Sequence, residues 1–251
     1  MGLMPEAKKL DTTITDSIVA ARHQLECALR HAGRSHDDAQ LLAVSKTKPA
    51  ALIREAFQAG QRHFGENYVQ EALDKQHELV DLDLVWHFIG PLQSNKTRMV
   101  AEHFSWVHTI ERAKIATRLN DQRPQELGPL NVCLQVNISA EPTKAGISPE
   151  ALDDLVEHVA SLPNLRLRGL MAIPLPAESY DDQRKPFRVL RELFKQLQVR
   201  YPTLTLDTLS MGMSNDFEAA IAEGATLIRL GTAIFGARDY SPKPHTSEQR
   251  D

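Results

Sequence analysis

The chain has 251 residues, 42% of them hydrophobic and 25% charged, with a formal net charge of -4. That length suits one (β/α)₈ barrel, for which about 250 residues is typical, and it can bury a large core without staples. The balance excludes a global basic field of the kind that gathers nucleic acid, and no apolar run approaches the ~20 residues that cross a bilayer. Cys27 and Cys133 stand far apart with no CxxC pair, so they read as reduced packing residues of a cytoplasmic protein. The first thirty residues are strewn with charge, which argues against a signal peptide.

In chain order, residues 11–33 read as an amphipathic helix, with Ile14, Ile18, Ala21, Leu25 and Leu29 on one face and Gly33 as its stop. Short apolar runs then alternate with helical patterns. Strands are predicted at 40–45, 62–64, 85–89, 104–109, 130–137, 166–171, 206–209 and 226–230. Helices are predicted at 50–59, 68–80, 113–121, 149–160, 182–201 and 217–223, with another inside 92–102. Pro49 and Pro149 suit first helical turns, and Gly60 and Gly224 suit helix stops. Alternation of this kind implies parallel strands with crossover helices, and eight units fit a closed barrel. No GxGxxG follows any strand, so a dinucleotide fold has no support. The expected architecture is a single (β/α)₈ TIM-type barrel spanning 1–251, with the 11–33 helix packed on it as an extra element and 239–251 as a flexible tail.

Lys46 ends the run Leu41-Leu42-Ala43-Val44-Ser45-Lys46. By strand parity Leu42, Val44 and Lys46 share one face, and Leu41, Ala43 and Ser45 the other. A lysine aimed from a buried strand suggests a Schiff base with a carbonyl, although a solvated strand-end lysine has the same pattern. Lys48, beside Pro49, is less constrained. Ser210-Met211-Gly212-Met213-Ser214-Asn215 and Gly231-Thr232 follow the seventh and eighth strands, where barrel enzymes often bind phosphate. Glycines let backbone N–H groups approach an anion, Ser214 and Thr232 offer hydroxyls, and a helix beginning near Asn215 would add its positive end. Capping and turning would use the same residues. Arg229 shares parity with Leu227 and Gly231 and should point inward, where a cofactor ring nitrogen or an internal carboxylate could accept from it. Asn67, His87 and Met171 lie at or near the same strand ends, though His87 could be a core histidine and Met171 packing. The ten histidines show no metal-ligand spacing.

Ala43-Val44-Ser45-Lys46-Thr47-Lys48-Pro49, Phe64-Gly65-Glu66-Asn67-Tyr68, Trp86-His87-Phe88-Ile89-Gly90, Leu170-Met171, Ser210-Met211-Gly212-Met213-Ser214 and Arg229 through Gly236 together resemble the pyridoxal phosphate homeostasis proteins, which are similar to the barrel domain of alanine racemase. The resemblance runs from about residue 10 to 240. It implies pyridoxal 5′-phosphate held as an internal aldimine on Lys46, with Ser214, Gly231 and Thr232 on the phosphate and Arg229 at the pyridine nitrogen. Asn67, His87 and Met171 would line the ring. A permanent cation at that nitrogen disfavours its protonation and weakens the ring as an electron sink. The racemase also draws its second base from a C-terminal β-domain that this sequence is expected to lack. The expectation is therefore a carrier serving vitamin B6 and amino-acid homeostasis, with little or no turnover. It would be a cytoplasmic monomer free of nucleic acid and membrane, with pyridoxal phosphate-dependent apoenzymes as candidate recipients. The alternatives are an amino-acid racemase using Tyr68 or His87 as base, a cofactor-free Schiff-base aldolase, and an adaptor whose barrel is only a scaffold.

Overall fold

The computed structural model describes residues 13–139 and 145–237. Eight parallel strands pair in sequence order and close into a barrel: β1 (Gln40–Val44), β2 (His63–Glu66), β3 (Val85–Phe88), β4 (Trp106–Ile110), β5 (Leu130–Gln135), β6 (Leu165–Met171), β7 (Thr208–Ser210) and β8 (Leu227–Leu230). Crossovers are made by α2 (Ala50–Gln58), α3 (Val69–Glu78), α4 (Thr97–His103), α5 (Ala113–Gln122), α6 (Leu152–Ala160), α7 (Tyr180–Arg200) and α8 (Phe217–Ala222). A short α9 (Thr232–Phe235) follows β8, and α1 (Ile14–His31) precedes β1.

The extra N-terminal helix packs across α2, α8 and α9. It starts where Thr13 and Asp16 satisfy each other's backbone N–H groups as a capping box. It ends at Gly33, whose φ of +68° suits glycine. Residues 11 and 12 of the predicted helix and the predicted tail at 239–251 lie outside the described residues. Pro49 sits one position earlier than expected, at the N-cap of α2 with extended backbone, while Pro149 opens a short 3₁₀ turn leading into α6. The strand before α8 also moves: it begins at Thr208, not 206, because the chain around Leu204–Leu206 closes a turn first.

Strand parity divides the core. Leu41, Ala43, Phe64, Phe88, Ile228 and Leu230 face the helices and join one large apolar cluster. Leu42, Ile89 and Leu227, with Val44 against them, form a small separate cluster inside the barrel. Gly65 makes room for it: a Cβ there would come within 2.9 Å of Ile89 Cδ1. The rest of the interior is unusual for this architecture, which normally fills with branched apolar side chains. Here His87, His108, Ser210 and Arg229 are all buried.

Candidate active-site mouth

At the C-terminal end of β1 the chain leaves the sheet at Ser45, turns through Lys46 and Thr47, and enters α2. Lys46 is half-buried two residues beyond the strand. Thr47 adopts φ +64°, a left-handed conformation uncommon for a threonine, and such strain persists only where surrounding structure over-determines it. The surroundings here are three residues from β2 and α3. Lys75 Nζ donates to the Ser45 carbonyl and Glu66 Oε1, both at 2.8 Å, and to Glu71 Oε1 at 2.5 Å. Ser45 Oγ donates to Glu66 Oε1 at 2.6 Å, and the Thr47 N–H donates to Glu71 Oε1 at 2.5 Å. The backbone is thus clamped on both sides of Lys46. Burial pushes the Glu66 carboxyl above its ordinary range, with Lys75 opposing. Lys48 is engaged elsewhere, donating to the Ala237 carbonyl at 2.7 Å.

On the other side of β1, the ends of β7 and β8 come together. The Arg229 N–H donates to the Gly212 carbonyl at 2.9 Å, tying the loop after β7 to strand β8. Gly212 has φ +96°, and a Cβ would lie 2.7 Å from Ala220 Cβ in α8, so only glycine fits. The loop is closed by the Met213 N–H donating to Asp216 Oδ1 at 2.6 Å, and α8 begins at Phe217, the predicted start of the 217–223 helix, two residues past the Asn215 considered as an anion-binding helix end. This leaves Ser214 and Asn215 exposed. Gly231 lies against β1, where a Cβ would approach the Val44 carbonyl oxygen to 3.3 Å. Thr232 is exposed beside it, at the start of α9. Lys46, Ser214, Gly231 and Thr232 therefore all leave the same end of the barrel, from β1, β7 and β8.

Arg229 lies in the barrel just below. It is 4% exposed, and its guanidinium donates to Ser210 Oγ at 2.8 Å and to the Ala172 carbonyl at 3.0 Å. The internal carboxylate left open by the sequence is not among these acceptors. Burial draws its pKa down to about 10, with Asp216 opposing. Ser210 Oγ also meets His108 Nδ1 at 2.8 Å. His108 Nε2 meets His87 Nδ1, and His87 Nε2 meets His63 Nδ1, both at 2.9 Å. His87, flat against Trp106, thus has both ring nitrogens engaged by other histidines, below the mouth. Burial holds all three histidines below the ordinary imidazole range, His108 down to about 3.

The β2–β6 side of the mouth holds a cavity of about 270 Å³ lined by Asn67, Ile89, Thr109, Glu111, Gln135 and others. Asn67 Oδ1 is buried with no hydrogen-bond partner among the described residues. Gly90 must be glycine, since a Cβ would sit 2.3 Å from the Asn67 carbonyl oxygen. Met171 is fully buried, paired in register with Ser210 across β6 and β7. No cluster among the described residues could hold a metal ion, and no helix among them is long and apolar enough to cross a membrane. Sequence reasoning missed Lys75 and Glu71, which act from α3, and the roles of Ser210, His108 and His63. Inward parity of the histidines was the one signal available for the latter two.

The barrel, with its lysine after β1 and its glycine loops after β7 and β8, defines a class: residues 17–239 match the alanine racemase N-terminal domain. Within that class the chain belongs to the pyridoxal phosphate homeostasis protein family. A relative so named from Pseudomonas aeruginosa is 60% identical over 229 residues, covering 91% of this chain and 97% of the relative. The Escherichia coli K12 protein of the same name is 58% identical over 233 residues, covering 92% and 99%. The solved structure of PipY from Synechococcus elongatus with PLP bound is 42% identical, with a TM-score of 0.80 over 89% of this chain and 100% of that one.

Proposed function

We propose that the barrel mouth holds pyridoxal 5′-phosphate and that the protein is a carrier serving vitamin B6 and amino-acid homeostasis, with little or no turnover. The observation that carries this reading is Arg229, a buried cation held beneath the mouth between the Lys46 turn and the Gly212 and Gly231 loops. The residues present fit the group. The orphaned Asn67 Oδ1 and the side-chain-free approach at Gly212 and Gly231 suit a polar ligand with an anionic end.

When bound, the cofactor supplies an aldehyde open to an amine and a ring able to draw electron density. Lys46 is the amine, fixed in place by the clamp from α3. Ser214, Gly231 and Thr232 hold the phosphate through hydroxyl and backbone donors. Arg229 donates to the ring nitrogen and, being a cation, discourages a proton there. This favours retention over carbanion chemistry, where a protonated ring nitrogen is wanted. Asn67 and Met171 border the ring, and His87 acts on it only through Arg229.

The test is to add pyridoxal phosphate to the cofactor-free protein, record the visible spectrum, reduce with borohydride and map the modified peptide. A yellow adduct fixed on Lys46 is expected. A colourless complex, or a label on Lys48, would sink the assignment. Robust racemisation of L-amino acids by the loaded protein would replace the carrier with an enzyme.

A further inference from the structure

A continuous line of hydrogen bonds crosses the barrel from Arg229 to its opposite end. It runs through Ser210, His108, His87 and His63, with every step between 2.8 and 2.9 Å. His63 opens β2 at the N-terminal end of the barrel, where it lines a cavity of about 310 Å³. Three histidines and a serine in a barrel core are costly compared with branched apolar residues, because each buried polar atom must keep a partner. The proposed cofactor chemistry uses none of the three directly.

The protons along this line are constrained. Arginine only donates, so Ser210 Oγ accepts from Arg229. Of the two neutral arrangements, the one that keeps the Ser210 hydroxyl hydrogen in the line has Ser210 donating to His108 Nδ1, His108 Nε2–H to His87 Nδ1, and His87 Nε2–H to His63 Nδ1. His63 carries its own proton on Nε2. A second proton on His63 occupies Nδ1 and reverses every link. The ring protons of His87 and His108 then sit on Nδ1, His108 donates to Ser210, and the Ser210 hydroxyl proton points away. Each proton has moved one step, from His87 Nε2 to His63 Nδ1, from His108 Nε2 to His87 Nδ1 and from Ser210 to His108 Nδ1; the one proton taken from solvent replaces that of the Ser210 hydroxyl, His87 and His108 remain neutral, and the charge rests on His63. Ser210 is the stronger acceptor for Arg229 in the first arrangement, because donating its own proton polarises its oxygen. In the second it accepts twice and holds Arg229 less firmly.

We propose that His63, His87, His108 and Ser210 form a relay through which the protonation of His63 at the N-terminal cavity sets how firmly Arg229 is presented to the mouth. Ser210 and His108 are positioning residues for Arg229, and His63 is the solvent end. The groups facing His63 are His87 from β3, its neighbour Arg62, Arg22 and Glu26 from α1, and His36 ahead of β1. Arg22 is already committed to the Ala59 carbonyl and Gln61 Oε1. Partial burial opposes a charged His63, so the reversal falls on the acid side of neutrality. The effect on the cofactor rests on the reading that Arg229 meets its ring nitrogen.

Two measurements test it. The first is the imidazole ¹⁵N spectrum of the cofactor-free wild type. The neutral set should give Nε2–H tautomers at His87 and His108, switching together to Nδ1–H as His63 takes up its proton. Tautomers that do not switch together overturn the relay, whatever the protein binds. The second is pyridoxal phosphate retention against pH in the wild type and in His63→Gln. Wild-type retention should weaken by roughly threefold to tenfold on acidification, the scale of one lost hydrogen bond. His63→Gln should abolish that step while matching the wild type at alkaline pH. The same step in His63→Gln overturns the relay; a wild type that binds no cofactor at all overturns the function reading instead.

Discussion

Thr232 and Gly231 do different work at the same turn. Gly231 lets the chain lie against Val44 of β1, whereas Thr232 is exposed and contributes a hydroxyl. Thr232→Val keeps the shape and removes that hydroxyl. It should weaken pyridoxal phosphate retention by about 0.5–1.5 kcal/mol, or more if the bond is to a charged phosphate oxygen, with little change in stability. Equilibrium binding followed by absorbance checks this, and an unchanged affinity would remove Thr232 from the phosphate site. Lys75 is the counterpart on the lysine side. Its ammonium and the fully buried Glu66 carboxylate lie 2.8 Å apart, at 6% and 0% side-chain exposure. Lys75→Met leaves Glu66 without a counter-charge and should cost about 3 kcal/mol, read as a shift in urea midpoint. Because the clamp on Ser45 goes with it, Lys46 should also react more slowly with pyridoxal phosphate. A variant of wild-type stability would show that the pair contributes little.

Among the elements, the loop from β7 to α8 has little freedom. Gly212 combines a positive φ with a 2.7 Å approach to Ala220. Gly212→Ala should therefore either lift α8 off β7 or open the Met213–Asp216 turn. A loss of about 2 kcal/mol or more in stability is expected, from left-handed strain and overpacking together, along with poorer cofactor retention. Denaturant unfolding separates the two effects. α8 is itself anchored on its far side: the fully buried Glu223 carboxylate takes Arg184, Arg188 and Arg191 from α7 within 3.2 Å. The mouth loop is thus held by a helix that is pinned from behind, so its movement rather than its melting is the expected response.

The whole molecule should be sensitive to acid. His63, His87 and His108 all have folded pKa values below their unfolded ones, so the unfolded chain binds more protons in the acid range. Their stabilisation is complete above the unfolded value of 6.5 and falls as pH drops toward the folded values, about 3 for His108. At about pH 5 His108 alone should have given up ~2 kcal/mol. Glu66 and Asp216 have raised values and so oppose this trend in part, since the folded state takes protons there more readily. The histidines are three and two of them are fully buried, so the urea midpoint should fall between about pH 7.5 and pH 5. A midpoint that rises over that range would show that the carboxyl groups dominate.

The sequence alone determined the barrel, because eight alternations of apolar run and amphipathic helix admit few other arrangements, and parity placed Leu42, Val44, Leu227 and Arg229 on the inner face. It also marked Lys46, Ser214, Gly231 and Thr232 as candidates, since unusual residues at C-terminal strand ends stand out against apolar neighbours. Only the tertiary structure decided what holds them. Lys75 clamps the Lys46 turn from 30 residues away, and Ser210 joins His108 across 102 residues of chain. Such partners share no local pattern: they are brought together by barrel closure, and a hydrogen bond depends on distance in space. The α9 turn was hidden for a related reason, its four residues being too few to show a period. His87 was ambiguous in the sequence because a core histidine and a ligand-lining one have the same burial and parity; the histidines on either side of it in space give it its place in the relay.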